Sequence, residues 1–333
     1  MAILDSSLPV DHRSTLEELE SLVGETYQMW DEEWVGFTWR NYTFEHVQRV
    51  RALALALAER EGADRTVLEY AGLLHDITKG YDGEIVEANG ERQLDANGFW
   101  RNHQLAPAHR NLVTDLYDKL GLAGSLHNES GAAVADFLLT ERGLPAPLRE
   151  RITTVIRAHL RPVADAGVEE RILYDADTID ANIGLPAFHR NLYIMLHREE
   201  IQRQKDGEDF AAWIDSHRRE FIAWHLTDKV PSWVSSRRQT FLDRLMTETG
   251  RRLAEARYDR LIRFVGLLAA ELGAYEAASR EGGLAIVQYL IENRQNPRMS
   301  EQVRYLASWW AARPSVLARD LLAAMQAEMN GLM

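Results

Sequence analysis

The chain contains no cysteine, no excess of positive charge and no long apolar run. Because none of its 333 residues is Cys, disulfides, thiolate metal sites and a cysteine nucleophile are excluded. Any metal would therefore be held by nitrogen and oxygen atoms of histidine and carboxylate side chains. The net charge of −13, without a long Lys/Arg run, argues against binding to long nucleic acid, which requires many neutralised phosphates.

Membrane and export signals are also missing from the sequence. No segment approaches the roughly 18 uninterrupted apolar residues of a membrane span, and the first residues lack the basic region of a signal peptide. We therefore expect a soluble, cytoplasmic protein that does not bind a membrane. Since 46% of the residues are apolar, the composition indicates a packed globular chain.

Helical periodicity dominates the chain, and alternating apolar and polar runs are scarce, so the sequence predicts an all-α protein. Helices are predicted near residues 15–30, 43–62, 64–80, 129–142, 146–160, 168–182 and 186–204, with further helices to the C-terminus. Weaker helical patterns lie between about 90 and 121. We predict an N-terminal helical segment (1–36), a central domain (37–205) and a C-terminal helical region (206–333).

The stretch "GLLHDITKGYDGE" places adjacent His75 and Asp76 at the end of an apolar helix. Burial of such a pair costs free energy unless both groups find partners, and the two side chains can lean toward one ion above a helix groove. On the preceding helix, for which Thr43 is the candidate N-cap, His46 shares an apolar stripe with Val50 and Leu53. A short helical hairpin would bring His46 within reach of the pair.

Two more histidines and three aspartates occupy comparable apolar settings. His127 precedes a helix whose inner face is small, and His159 lies on an apolar helix face. The segment "LYDADTIDANIG" adds Asp175, Asp177 and Asp180 between isoleucines and leucines. Each alone has an ordinary explanation, such as a hydrogen-bonded core histidine or a helix cap. Together they resemble the ligand set of a two-metal site in which a carboxylate bridges the ions.

The order of these residues resembles the HD-domain superfamily of metal-dependent phosphohydrolases. "LLHDITK" is similar to its signature helix end, "FEHVQRVRALALALA" to its first-ligand helix, "HNESGAAVADFLL" to its "H…GA…A" segment, and "LYDADTIDANIGLPAFHR" to its final-ligand segment. The resemblance covers roughly residues 40–200. It implies an HD-type helical bundle, to which the C-terminal helical region would be added.

The resemblance also implies metal roles for individual residues. His46, His75, Asp76 and Asp177 match the four common ligands, with Asp76 as the bridge, and a further pair of histidines matches the ligands of the two-metal branches: His127 and His159. Asp177 is preferred to Asp175 because an acidic residue follows it three positions later. That residue, Asp180, and the alternative ligand Asp175 are candidates for orienting a ligand. Two divalent ions are implied, with Fe or Mn favoured and Zn, Co, Ni or Mg as alternatives.

Lys79, three positions after Asp76, can reach a phosphate oxygen beside the metals. The simpler interpretation of Lys79 is a cation that complements the helix dipole before Gly80. The resemblance to the family's His-Asp-x-x-Lys pattern favours a role in substrate binding instead. Arg161 and Arg190, close in sequence to ligand segments, are further candidates for phosphate binding.

The resemblance implies a phosphohydrolase that cleaves a small, nucleotide-like phosphoester by means of a metal-bridging hydroxide, with Asp76 and Lys79 as catalytic residues. One alternative is a mixed-valent di-iron oxygenase that cleaves a C–C or C–P bond; another is a non-catalytic regulator that senses a ligand. The C-terminal helices could also serve as a homodimer interface.

Overall fold

The computed structural model describes residues 11–35, 38–88, 91–95, 99, 101–295, 298–311 and 316–331. Across these residues the chain is predominantly helical, which confirms the all-α class. It packs into two compact units, Met1–Tyr174 and Asp175–Met333. The division into 1–36, 37–205 and 206–333 stays a prediction. Within the described part, no helix combines the length and the apolar character needed to cross a membrane.

The described residues of the first unit form seven helices, and the last of these helices continues into the second unit. They are α1 (His12–Thr26), α2 (Arg40–Glu61), α3 (Arg65–Leu74), α4 (Leu112–Lys119), α5 (His127–Glu141), α6 (Ala146–Ala158) and α7 (Val168–Asn182). α3 is central, because it packs against α1, α2, α5 and α6. One face of α3, formed by Val67, Ala71 and Leu74, is fully buried.

The hairpin of α2 and α3 forms as predicted, with ends set by local chemistry. Gly62 ends α2 in the left-handed conformation (φ 70°), which glycine adopts without strain. The carboxylate of Asp64 then caps α3 by accepting from the N–H groups of Thr66 and Val67. Thr43, the candidate cap of α2, lies inside that helix, which begins three residues earlier.

α3 ends at Leu74 rather than near residue 80, so the signature pair lies just beyond the helix. The ring of His75 donates from Nδ1 to the carbonyl of Gly72 (2.9 Å), the carbonyl that a continuing α-helix would offer to residue 76. The chain then tightens into bonds that span three residues, such as that from the N–H of Lys79 to the carbonyl of Asp76, and a 3₁₀ turn follows at Lys79–Tyr81.

Residues 82–104 carry short antiparallel strands where the sequence shows only weak helical patterns. Strands β1 (Trp34–Val35) and β2 (Thr38–Trp39) precede them and pair with each other; the inserted strands are β3 (Asp82–Ile85), β4 (Glu87–Ala88), β5 (Glu91–Arg92) and β6 (Asn102–Gln104). β3 pairs with β6, with Asp82 opposite Gln104, and β4 pairs with β5. We call residues 82–104 the β-insertion.

The second unit is helical throughout its described residues. Its helices are α8 (Leu185–Lys205), α9 (Phe210–Trp224), α10 (Val230–Thr240), α11 (Glu248–Glu271), α12 (Tyr275–Glu281), α13 (Gly283–Glu292), α14 (Met299–Ala311) and α15 (Val316–Met329), with a π-helical turn at His225–Lys229 and 3₁₀ turns at Leu242–Arg244 and Leu272–Ala274. α8 packs against α9, α11, α13 and α15. Buried Glu328 accepts from the N–H of Leu185 (2.8 Å) and from Arg260 (2.8 Å), so this charge is paired.

Candidate metal centre

Asp76 lies at the centre of four histidine rings in the first unit. Its Oδ2 is 3.8 Å from Nε2 of His46 and 3.5 Å from Nε2 of His75. Its Oδ1 is 3.4 Å from Nε2 of His127 and 3.6 Å from Nε2 of His159. Each carboxylate oxygen therefore faces one pair of imidazole nitrogens, and all five side chains are buried.

Most of these side chains lie where a helix begins or ends. His75 and Asp76 follow α3, His127 is the first residue of α5, and His159 directly follows α6; His46 alone projects from the middle of a helix, the inner face of α2. Helix ends from different directions can thus meet at one point.

Small and polar residues allow α5 to approach the end of α3 closely. A Cβ atom on Gly131 would lie 3.2 Å from the carbonyl oxygen of His75, so the glycine permits this approach. The hydroxyl of Thr78 donates to the carbonyl of His127 (3.1 Å) and contacts the hydroxyl of Ser130 (2.8 Å). The small inner face predicted for α5 is confirmed.

Three of the rings are oriented through their Nδ1 atoms. His75 and His159 donate from Nδ1 to the carbonyls of Gly72 (2.9 Å) and Ile156 (2.7 Å), because a carbonyl can only accept. His127 pairs through Nδ1 with the Asp82 carboxylate (2.6 Å). With the proton on Nδ1, the Nε2 lone pair of each ring faces Asp76, as a metal ligand requires.

The donor set fits divalent metal ions. Nε2 of His127, Nε2 of His159 and Oδ1 of Asp76 are buried and make no hydrogen bond within the described residues. Such atoms are costly to bury without a partner, and a cation would satisfy all three at once. Two groups of mutually close donor atoms share Asp76: one with His46 and His75, the other with His127 and His159. Histidine/aspartate clusters able to hold a metal are therefore present.

The electrostatics keep the central carboxylate ionised. Burial by itself raises the pKa of Asp76, but the positive charge of Lys79 and the adjacent histidines outweigh burial and hold that pKa well below its usual value. For His127, burial has the opposite effect and lowers the pKa of the ring. The charge and hydrogen bond of Asp82 outweigh burial and raise this pKa above its usual value. His127 must lose a proton to bind a metal, so metal affinity depends on pH.

Lys79 contacts the cluster directly. Its ammonium donates to Oδ2 of Asp76 (2.7 Å), and its side chain is 19% exposed. The cation therefore lies at the rim of the cluster rather than only at a helix end. Its predicted role with substrate and in catalysis stays a prediction.

The remaining predicted site residues are Arg161 in the first unit and Asp177, Asp180 and Arg190 in the second. Arg161 is exposed, and its guanidinium lies over the ring of Phe99 in the β-insertion, 4.3 Å from the centroid. Asp177, Asp180 and Arg190 belong to the second unit, where α7 ends and α8 begins. Their roles as ligand, ligand-orienting group and phosphate-binding group stay predictions.

Asp175, the alternative final ligand, binds the segment that directly precedes α11, including the N-cap residue Thr247. Its carboxylate accepts from the N–H groups of Met246 and Thr247 (both 2.8 Å) and from the hydroxyl of Thr247 (2.6 Å), directly before α11. These three bonds occupy most of the acceptor capacity of the carboxylate.

Sequence reasoning missed two residues that support the cluster. Asp82 binds His127 and lies in the β-insertion, where only its place between Gly80 and Gly83 marked an ordered turn. The hydroxyl of Tyr27 donates to the backbone carbonyl of Asp76 (2.6 Å). Neither contact has a sequence signature, because each joins segments more than 40 residues apart.

Comparison with known proteins places the cluster in a family. Residues 43–182 match the model of the HD domain. No curated protein matches the chain. Among solved structures, a predicted HD superfamily hydrolase from an uncultured Thermotogales bacterium is 24% identical, with 77% of this chain and 92% of that chain covered and a TM-score of 0.43. Bacillus subtilis YpgQ in complex with ADP is 18% identical, with 78% and 96% covered and a TM-score of 0.40.

The matched range spans the whole cluster, from His46 on α2 to His159 after α6, and includes the His75-Asp76 pair. Residues 43–182 of this chain therefore match the HD domain, and the match includes every residue of the cluster.

Proposed function

We propose that the protein is a binuclear metal-dependent phosphohydrolase that cleaves a small phosphorylated molecule, nucleotide-like in class. The observation that carries the proposal is the symmetric environment of Asp76, whose two oxygens each face a pair of histidine nitrogens. A carboxylate placed in this way suits a bridge between two ions.

The two donor groups define the proposed ligands. His46 and His75 with Oδ2 of Asp76 would hold one ion, and His127 and His159 with Oδ1 would hold the other. Asp177 is the proposed sixth ligand. It is favoured over Asp175 because the carboxylate of Asp175 already accepts hydrogen bonds from Met246 and Thr247. Nitrogen and oxygen ligands suit Fe or Mn, and Zn, Co, Ni and Mg are the alternatives.

When bound, divalent ions would activate water near neutral pH and neutralise charge on the phosphoryl oxygens. The chain's own residues prepare the site for this role. Asp76 stays ionised because of its low pKa. The Nδ1 bonds of His75 and His159 hold their Nε2 lone pairs toward Asp76, and burial of the rings limits competition from bulk water.

Positive side chains would bind the phosphate. Lys79 lies at the rim of the cluster with part of its side chain exposed, so its ammonium can donate to a phosphoryl oxygen while it remains near Asp76. Arg161 and Arg190 are proposed as further phosphate contacts. The chain's acidic net charge favours a small substrate over a polymer.

The test combines metal analysis with a hydrolysis screen. Protein purified without chelator should hold close to two ions per chain and hydrolyse some nucleotides, dinucleoside polyphosphates or sugar phosphates. His75→Ala should lose bound metal and at least about 100-fold of this activity, because it removes a ligand of one ion and disturbs the bridge. His109→Ala is the matched control, since that histidine is exposed and its ring pairs with the equally exposed Asp31 (3.0 Å).

Other outcomes would assign a different function. Fewer than one tightly bound ion per chain, or a His75→Ala variant with unchanged metal and activity, would refute the two-metal hydrolase. Oxygen consumption by the iron-loaded, reduced protein, without phosphate release, would indicate the di-iron oxygenase alternative. Two ions without turnover in either assay would indicate the ligand-sensing regulator.

A further inference from the structure

Asp82 links the β-insertion to one histidine of the cluster. Its Oδ2 accepts a hydrogen bond from Nδ1 of His127 (2.6 Å), and both side chains are about nine-tenths buried. The corresponding Nδ1 bonds of His75 and His159 go to main-chain carbonyls. At its Nδ1 atom, the His127 ring is thus held by a side chain rather than by a main-chain carbonyl.

The position of Asp82 is closely defined by its neighbours. A Cβ on Gly80 would lie 2.6 Å from the Trp30 ring, and a Cβ on Gly83 would lie 2.6 Å from the carbonyl oxygen of His103, so the backbone on both sides packs tightly. Between them, the ring of Tyr81 stacks on Tyr117 at 3.6 Å between centroids. The turn after the signature pair is thus held firmly enough to aim a carboxylate.

We propose that Asp82 is a positioning residue for the ion held by Asp76, His127 and His159, an inference that rests on the proposed two-metal function. By accepting from Nδ1, it fixes the tautomer of His127 whose Nε2 faces Oδ1 of Asp76 at 3.4 Å. The Nδ1 atom of His75, on the other side of the bridge, is instead held by the carbonyl of Gly72. Asp82 therefore supports one ion and leaves the other to His46 and His75.

The test measures metal affinity and ring tautomer in two variants and a control. Asp82→Ala removes the acceptor, whereas Asp82→Asn keeps the shape and a weaker acceptor. Asp31→Ala is the matched control, because Asp31 forms a comparable bond with His109 (3.0 Å) at an exposed position. Each protein is titrated with Mn²⁺ in competition with a chelator dye, and histidine ¹⁵N spectra are recorded without metal at an alkaline pH at which the His127 ring is neutral.

Asp82→Ala should lower the affinity for one of the two ions by about 10- to 100-fold, while the affinity for the other ion stays the same. Asp82→Asn should weaken the same ion by a smaller factor. In the metal-free spectra, the His127 ring should shift from the Nδ1–H form toward a mixture of tautomers in Asp82→Ala, with the other rings unchanged. Asp31→Ala should match the wild type in both measurements.

The outcomes separate this inference from the function on which it rests. If the wild type does not bind two ions, the proposed function fails. Three results in a wild type that binds two ions would show that the inference about Asp82 is wrong while the proposed function stands. In Asp82→Ala both affinities could be unchanged, both could fall equally, or the His127 tautomer could stay the same. Should Asp82→Ala not fold, as judged by circular dichroism, unchanged affinities in Asp82→Asn would overturn it.

Discussion

Asp76 and Asp175 show how the surroundings decide what a buried carboxylate does. Asp76 faces imidazole nitrogens and an ammonium group, so it is suited to bind cations. Asp175 faces backbone N–H groups and a hydroxyl of the two residues that precede α11, so it is suited to anchor that segment. Both are flanked by apolar residues in the sequence, which cannot distinguish the two roles.

His225, in the second unit, is a buried histidine that lies among aromatic rings. Its ring stacks on Phe221 (centroids 6.0 Å apart) and contacts Phe188 (6.2 Å), and neither ring nitrogen makes a hydrogen bond within the described residues. Burial lowers the pKa of His225 to about 4. The ring is therefore neutral in the folded protein at pH values where an unfolded chain would protonate it.

The free energy of unfolding should consequently depend on pH through His225. Between about pH 6.5 and pH 4 the unfolded chain binds a proton that the folded protein excludes, so stability is lost as pH falls, by roughly 3 kcal/mol in total. Urea unfolding, followed by fluorescence at several pH values between 4.5 and 7, measures how the free energy of unfolding changes with pH. In His225→Phe this free energy should depend less on pH.

The matched control for this slope is His217→Phe. His217 also stacks on an aromatic ring, that of Trp213 (5.1 Å), but it is exposed to solvent. The free energy of unfolding of His217→Phe should depend on pH as that of the wild type does. Equal slopes in the wild type and in His225→Phe would contradict the role assigned to His225.

At the scale of elements, the centre depends on where helices stop. Had α3 continued to residue 80, His75 and Asp76 would project about 100° apart around its axis. Instead the helix ends at Leu74, the chain tightens into a 3₁₀ turn, and Nε2 of His75 and Oδ2 of Asp76 lie 3.5 Å apart. The turn also carries Lys79 and leads into Asp82.

Gly80 is the point at which this turn packs on the first unit. Its missing Cβ leaves room for the Trp30 ring, which is fully buried and therefore cannot move aside easily. We expect Gly80→Ala to lower the free energy of unfolding by about 1–3 kcal/mol and to weaken metal binding, because the turn must shift. Urea unfolding and the Mn²⁺ titration measure the two effects.

Gly266→Ala is the control for Gly80→Ala. Gly266 lies inside α11 and is exposed, and a Cβ atom added there would have no described atom within 4 Å outside its own helix backbone and chain neighbours. Alanine there should raise the free energy of unfolding by about 0.5–1 kcal/mol through helix propensity. A Gly80→Ala variant as stable as the wild type would mean that the turn tolerates displacement.

At the scale of the whole molecule, metal binding should couple to stability. All five clustered side chains belong to Met1–Tyr174, and the folded chain brings together donors as far apart in sequence as His46 and His159. An unfolded chain cannot do so, and ligands that bind only the folded state stabilise it. At 100 times the dissociation constant the gain is about 2.7 kcal/mol per ion.

We therefore expect Mn²⁺ or Fe²⁺ to raise the unfolding temperature by about 5–10 °C relative to protein in EDTA. Differential scanning calorimetry with and without metal measures this shift. The shift should be smaller in His75→Ala, which loses a ligand of one of the two ions, and should persist in full in His109→Ala. An unfolding temperature that does not respond to metal in the wild type would argue against tight binding by this cluster.

The sequence by itself determined the all-α class, the α2–α3 hairpin and the burial of the candidate histidines, because helix periodicity and capping are local properties. It did not determine the strands of the β-insertion, whose segments are too short to show a pattern, nor the end of α3, which a side-chain bond from His75 to Gly72 sets.

Only the tertiary structure decided which atoms meet. The pairing of His46 and His75 on one oxygen of Asp76, and of His127 and His159 on the other, depends on the approach of four helices. The bond of Asp82 to His127 and the bonds of Asp175 to Thr247 likewise join segments far apart in the chain. Such contacts are fixed by packing, which no local pattern of residues records.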